Sequence, residues 1–139
     1  MTKMMTIRRA CAILYAIVSG MVVAFQLALA AGVPWGEYAM GGAFPGRFPP
    51  ELRIAALVQA ALLVGLVVIV LARAGLVALW SRAARWLIWV VVAFSALSFV
   101  LNLITPSAGE RAIWAPIAFL LLISSAVVAF TNSSAHPAQ

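Results

Sequence analysis

IAALVQAALLVGLVVIVLA, residues 54–72, runs from Arg53 to Arg73 without one charged side chain. A helix over this run climbs 1.5 Å per residue, which matches the roughly 30 Å of a bilayer's hydrocarbon core. Residues 11–31, 86–104 and 112–130 are apolar stretches of similar length. In lipid each crossing segment must satisfy its own backbone hydrogen bonds, and a helix does so. The expectation is an all-α membrane protein: a four-transmembrane-helix bundle forming a single integral domain over residues 1–139. An ordered, Gly/Pro/aromatic outer loop occupies 32–50, and a polar tail occupies 131–139.

Composition agrees with this class. Of 139 residues 66% are hydrophobic and 9% charged, against about 25% charged in a soluble domain. The net charge of +6 would point to nucleic acid in a soluble protein, but here the basic residues cluster at helix ends. Lys3, Arg8, Arg9, Arg73, Arg82 and Arg85 fall at one face of the membrane with no acid among them. Arg47, Arg53 and Arg111 fall at the other, together with Glu37, Glu51 and Glu110. Lysine and arginine accumulate on the cytoplasmic side, so both termini are expected inside and the 32–50 connection outside. Arginines beside cytoplasmic helix ends also attract anionic headgroups, at about 1 kcal/mol each.

Several chemistries find no support. Cys11 is the lone cysteine and His136 the lone histidine, so neither a redox pair nor a metal site is expected. No acid lies inside a span, and no nucleophile–base pair can be assembled there. Small multidrug exporters depend on such an intramembrane glutamate, vitamin K epoxide reductase-like proteins on cysteine pairs, and sterol-isomerase-like bundles on intramembrane acids and histidine. The chain is read as non-enzymatic, with no cofactor. Its basic start, apolar run and Ala28-Leu29-Ala30 mimic a secretory signal, but the run exceeds the 7–15 residues of a signal core. It is expected to remain as the first membrane helix.

The connections carry their own signals. GVPWGEYAMGGAFPGRFPP (32–50) mixes glycine and proline with Trp35, Tyr38, Phe44 and Phe48. A flexible linker is polar, whereas aromatic rings settle at the headgroup level. The segment is expected to cap the bundle, with Trp35 and Phe44 buried against helix ends. Pro50 and Glu51 suit the first turn of the second helix. The apolar residues 74–80 are too few to span, and either extend that helix or lie at the interface. Ser107 and Glu110 stand in the S-x-x-E relation of a capping box, and Pro116 is expected to bend the fourth helix. The tail is expected to be disordered.

Within the spans, Ala12, Ala16, Gly20, Ala24 and Ala28 make a small-residue stripe, and Ala56, Ala60, Ala61 and Gly65 a second one. The first two helices are expected to pair tightly along them. Gln26, Gln59 and Asn102 are the strongly polar side chains, and Ser95, Ser98 and Asn102 share one helix face. Amides facing lipid leave hydrogen-bonding groups unpaired, so these should point inward. Two readings stand: the amides bond across helices as glue, or they line a polar cup open to the outside. The residues of such a ligand- or partner-binding cup are Gln26, Trp35, Arg53, Gln59, Ser98, Asn102, Glu110 and Arg111.

Pro34-Trp35-Gly36, Gly41-Gly42, the 53–59 stretch and NLITPSAGERAIWAP (102–116) resemble a group of uncharacterised small bacterial four-transmembrane-helix proteins with a PWG/GG outer loop. The resemblance covers nearly the whole chain and implies a bacterial inner-membrane location, but no activity. The functional expectation is therefore a small inner-membrane protein binding a partner protein or lipid through its outer half, an accessory subunit of an envelope complex. The alternative is an oligomeric small transporter or channel component. Expected partners are membrane lipids and a membrane protein or a second copy of the chain, not nucleic acid. Orientation is directly testable: a reporter active only in the periplasm, fused after Gln139, is expected to be silent. An active fusion would reverse the topology.

Overall fold

The computed structural model describes residues 3–131. Residues 1, 2 and 132–139, which include His136 and most of the polar tail, lie outside the described residues. Four helices make up the fold: α1 (Lys3–Ala31), α2 (Pro50–Arg73), α3 (Ala84–Ile104) and α4 (Ala108–Phe130). Each is long and apolar enough to cross a membrane. α3 packs most extensively on α4 and α1 on α2, while α2 and α3 touch least among neighbouring pairs.

The helix ends follow from local chemistry. α1 stops where Gly32 adopts a positive φ of 95°, with Gly32 N–H donating to the Leu29 carbonyl and Val33 N–H to that of Ala28. α2 stops in the same way at Gly75, through Gly75 N–H to Ala72 O and Leu76 N–H to Leu71 O. This pair of reversed bonds satisfies the last carbonyls and turns the chain out of the helix. Residues 74–80 therefore do not extend α2. At its start, Pro50 sits in the first turn and Glu51 meets the positive end of the helix dipole. α4 runs through Pro116 to Phe130, and Thr131, the first residue of the tail, is buried and closes that helix.

α1 and α2 do pair, and the two small-residue stripes enter the packing only in part, through Ala12 of the first and Ala56 and Ala60 of the second. The buried face of α1 is Ala12, Tyr15, Ser19, Gln26 and Leu29, whose spacings of three, four and seven hold one face of a helix. A spacing of four drifts around the helix, which carries Gly20 and Ala24 out of the contact. Both are exposed, and a side chain at Gly20 would meet nothing.

Most of the core lies toward the end of the bundle where α1 starts. Tyr15, Leu66, Val70, Ile88, Val91 and Val128 pack there. At the opposite end, where the 32–49 connection lies, a smaller cluster joins Leu29, Phe48 and Ala56. α3 buries Ala84, Ile88, Val91 and Ser95, but no residue from Ala96 to Ile104. α2 and α3 thus pack closely where residues 74–83 tie them together and separate toward the connection end.

The connection contains two short 3-10 turns, Gly36–Tyr38 and Met40–Gly42. Gly36 N–H donates to the Gly46 carbonyl at 2.9 Å, and a Cβ at Gly36 would collide with the Phe44 carbonyl oxygen. Glycine is required at that close approach. The aromatic residue driven into the bundle is Phe48, 4% exposed, whereas Trp35 and Phe44 stay 46% and 42% exposed. The expectation for Trp35 and Phe44 is thereby corrected. Phe48 directly precedes Pro49 and α2, so the helix carries its ring against Leu29 and Ala56. Phe48→Ala is expected to cost about 3 kcal/mol in a detergent unfolding titration. Phe44→Ala should cost about 0.5 kcal/mol or less, as a surface substitution does.

Candidate functional site

Between the two clusters lies a cavity of about 610 Å³, within the range of small-molecule sites, roughly 300–1,000 Å³. All four helices and the connection contribute to it. Tyr15, Leu63 and Leu121 lie where it meets the larger cluster, and Phe48 and Ala56 where it meets the smaller one. Tyr38, Met40 and Gly41 of the connection cover it beside Thr105 and Pro106. Its space comes from small or slender residues where α2, α3 and α4 would otherwise meet: Ala55, Ala56, Ser98 and Ala118. The lining residues Gln59 and Ala55 of α2 and Leu97, Leu101 and Ile104 of α3 are exposed. The mouth therefore lies between α2 and α3, on the flank of the bundle.

The polar groups are few and unequal. Gln26 is only 8% exposed and lines the cavity, yet its amide has no hydrogen bond among the described residues. Its polar atoms are not sealed off in the packing, so the cavity is what they face. Gln59 lines the same space at its mouth, also without a partner among the described residues. The Asn102 amide donates to the Ser98 carbonyl at 2.8 Å and reaches the Ser98 hydroxyl at 3.5 Å. That bond lies within α3, not across helices. The glue reading needs cross-helix amide bonds, and none of these amides makes one among the described residues.

Glu110 organises the covered end. Its Oε2 accepts from the Gly41 backbone N–H at 2.8 Å and from the Thr105 hydroxyl at 3.1 Å. Ser107 caps α4 by accepting from Glu110 N–H at 3.2 Å, and its hydroxyl donates to the Glu37 carbonyl at 3.1 Å. Half of the expected capping box is present. The other half is diverted, because the Glu110 carboxylate serves the connection instead of the Ser107 backbone. Trp114 completes the attachment, its indole N–H donating to the Tyr38 carbonyl at 2.7 Å.

Of the residues expected at the cup, Gln26, Gln59, Ser98, Asn102 and Glu110 line this cavity, while Trp35, Arg53 and Arg111 do not. Arg53 is drawn away by the Phe48 carbonyl at 2.8 Å and packs under Gly32. Arg111 donates to the Thr105 carbonyl at 3.0 Å. Trp35 stacks on Phe25, ring centroids 6.2 Å apart and planes within 4°. Of that stacked pair only Phe25, which also meets Trp114 at 4.6 Å, reaches the cavity. Sequence reasoning missed Tyr15 and Trp114. Tyr15 was visible in principle, since Tyr15, Ser19 and Gln26 share one face of α1. Nothing in the spacing marks Trp114, because its role depends on where the connection lands.

Among the described residues no group of three or more His, Cys, Asp or Glu side chains comes together as a metal site would. The arrangement offers an apolar chamber, neutral amide and hydroxyl groups, and a side opening. These are the elements that hold a molecule with an apolar body and a small polar head. Comparison with protein-family models, with curated proteins and with solved structures finds no match to this chain.

Proposed function

We propose that the chain is a non-catalytic membrane protein that binds a small amphiphilic lipid in this cavity. The observation that carries the reading is Gln26, buried inside the bundle with no protein partner among the described residues and facing open space. An amide left without a partner away from water costs about 1–3 kcal/mol. A ligand headgroup that donates to or accepts from it removes that cost. The mouth between α2 and α3 supports entry from the side, directly out of the bilayer, so an apolar tail need not cross water. The charge distribution supports placing this half of the bundle on the outer side of a bacterial inner membrane, where the ligand would be an outer-leaflet lipid.

Gln26→Leu separates binding from stability. Its amide bonds nothing in the protein, so the variant is expected to unfold at the same temperature as wild type or higher. Its ligand affinity should fall about 2- to 10-fold, the worth of one neutral hydrogen bond. Ser98→Phe, which fills the cavity, should abolish binding. The measurement is mass spectrometry of molecules extracted from the purified protein, compared with bulk membrane lipid. If wild type retains no amphiphile above its bulk abundance, or if Gln26→Leu destabilises the fold by several kcal/mol, the reading fails.

A further inference from the structure

The opposite end of the bundle holds a second site of different chemistry. Arg8 is 6% exposed, although it lies in α1 and carries a full charge. Its Nη1 and the Nη2 of Arg73 both reach the Thr131 carbonyl, each at 3.4 Å, long for hydrogen bonds of this type. Arg73 lies close enough to Arg8 and Arg85 for their charges to repel its own. The Nε atoms of Arg8, Arg73 and the neighbouring Arg9 are shielded from solvent and have no hydrogen-bond partner. Arg8 of α1 and Arg73 at the end of α2 meet at the Thr131 carbonyl that follows α4, and Arg85, exposed at the start of α3, adds its charge nearby.

Nothing described at this end balances the charge. Glu37, Glu51 and Glu110 all belong to the connection end. The helix dipoles do not help, because α1 and α3 begin here while α2 and α4 finish. Their terminal partial charges, about half an elementary charge each, cancel in pairs. One backbone carbonyl is left to serve guanidinium groups that carry a full charge apiece. Crowded like charges that share one distant carbonyl call for an anion with several acceptor oxygens, and the outer nitrogens of arginine forks fit phosphate in that way.

We propose that Arg8, Arg73 and Arg85 form a binding site for the phosphate of an anionic phospholipid headgroup. The absence of any described acid at this end sets the selectivity. A zwitterionic headgroup brings an ammonium beside its phosphate, and here it would meet only cations. The site sits at the termini of helices long enough to span a bilayer, which is where headgroups lie. It is separate from the cavity and does not rest on the proposed ligand there.

The test is native mass spectrometry of the full-length chain released from mixed vesicles of phosphatidylglycerol and phosphatidylcholine in equal amounts. Wild type is expected to retain one phosphatidylglycerol in clear preference to phosphatidylcholine. Arg73→Gln should weaken that retention about tenfold, the loss of one charge-assisted contact. Arg82→Gln, which removes the same charge from the 74–83 connection, should change it less than about twofold. Arg73→Lys keeps the charge but not the fork, and should fall between them. Retention of both lipids alike by wild type, or equal losses in Arg73→Gln and Arg82→Gln, would reduce the site to diffuse attraction and overturn the proposal. Thermal stabilisation by inorganic phosphate in neutral detergent, matching that by phosphatidylglycerol, would assign the site to a soluble anion and overturn the lipid assignment. Should Arg73→Gln fail to fold, the wild-type lipid preference decides alone.

Discussion

The Glu110 carboxylate, receiving the Gly41 N–H and the Thr105 hydroxyl, fastens the connection to the first turn of α4. Charge-assisted bonds of this kind are roughly twice as strong as neutral ones. The carboxylate also sits at the positive end of the α4 dipole. Its geometry depends on glycine at position 41, where φ is +68° and a side chain would be strained. Once this attachment is made, Tyr38 meets Trp114, Ser107 meets Glu37, and the connection lies over the space between the helices. Without it the cavity would open at its end as well as at its side.

The side opening follows from how the helices are tethered. Residues 74–83 join α2 to α3 at the Arg73 end, and the larger core cluster holds them together there. At the other end their neighbours differ. α2 is held to α1 by Phe48, Leu29 and Ala56, and α3 to α4 by the short 105–107 link. α2 and α3 meet closely at one end only, whereas α1 and α4 also meet at the connection end, where Phe25 packs on Trp114. Packing is densest where residues such as Val70, Ile88 and Val91 meet, each 0% exposed. Motions that widen the mouth therefore cost fewer contacts than motions that disturb the α1–α2 or α3–α4 pairs.

The spans were legible in the sequence because length and apolar character leave few alternatives in a bilayer, and all four appear as helices. The Pro50 start and the Ser107 cap were readable because they act within one turn of chain, whereas the apolar run 74–80 left open an extension of α2 that Gly75 ends. Gln26, Gln59, Ser98 and Asn102 were readable as a group because they are costly in lipid wherever they point, except into a shared interior. Trp35, Phe44, Arg53 and Arg111 were not, since each is governed by partners brought in by the fold of the connection. Arg53 meets the Phe48 carbonyl because of a local turn, and no periodicity encodes that. The stripe from Ala12 to Ala28 misled for a simpler reason. Alanine every fourth residue spirals around a helix, and only the part that coincides with Tyr15, Ser19 and Gln26 enters the contact.

The polar residues of the spans divide into two kinds, and the division bears on function. Ser95, Ser124, Ser125 and Thr131 each donate to a carbonyl three or four residues earlier in their own helix. This is the ordinary way a hydroxyl is satisfied inside a helix. Asn102 is satisfied likewise through Ser98. Ser19 departs from this pattern, because its sealed hydroxyl bonds no carbonyl of its own helix and lies instead beside the Tyr15 side chain. Gln26 and Gln59 depart from it more consequentially. Their amides have no partner among the described residues, yet they face accessible space. A fold selected for stability alone would place leucine at such positions, because an apolar side chain of similar size avoids the cost of an unsatisfied amide. Positions where local energetics favour another residue are where function is expected to be stored. Around the cavity, the buried Gln26 of α1 and the exposed Gln59 of α2 are the polar lining residues whose presence packing does not explain.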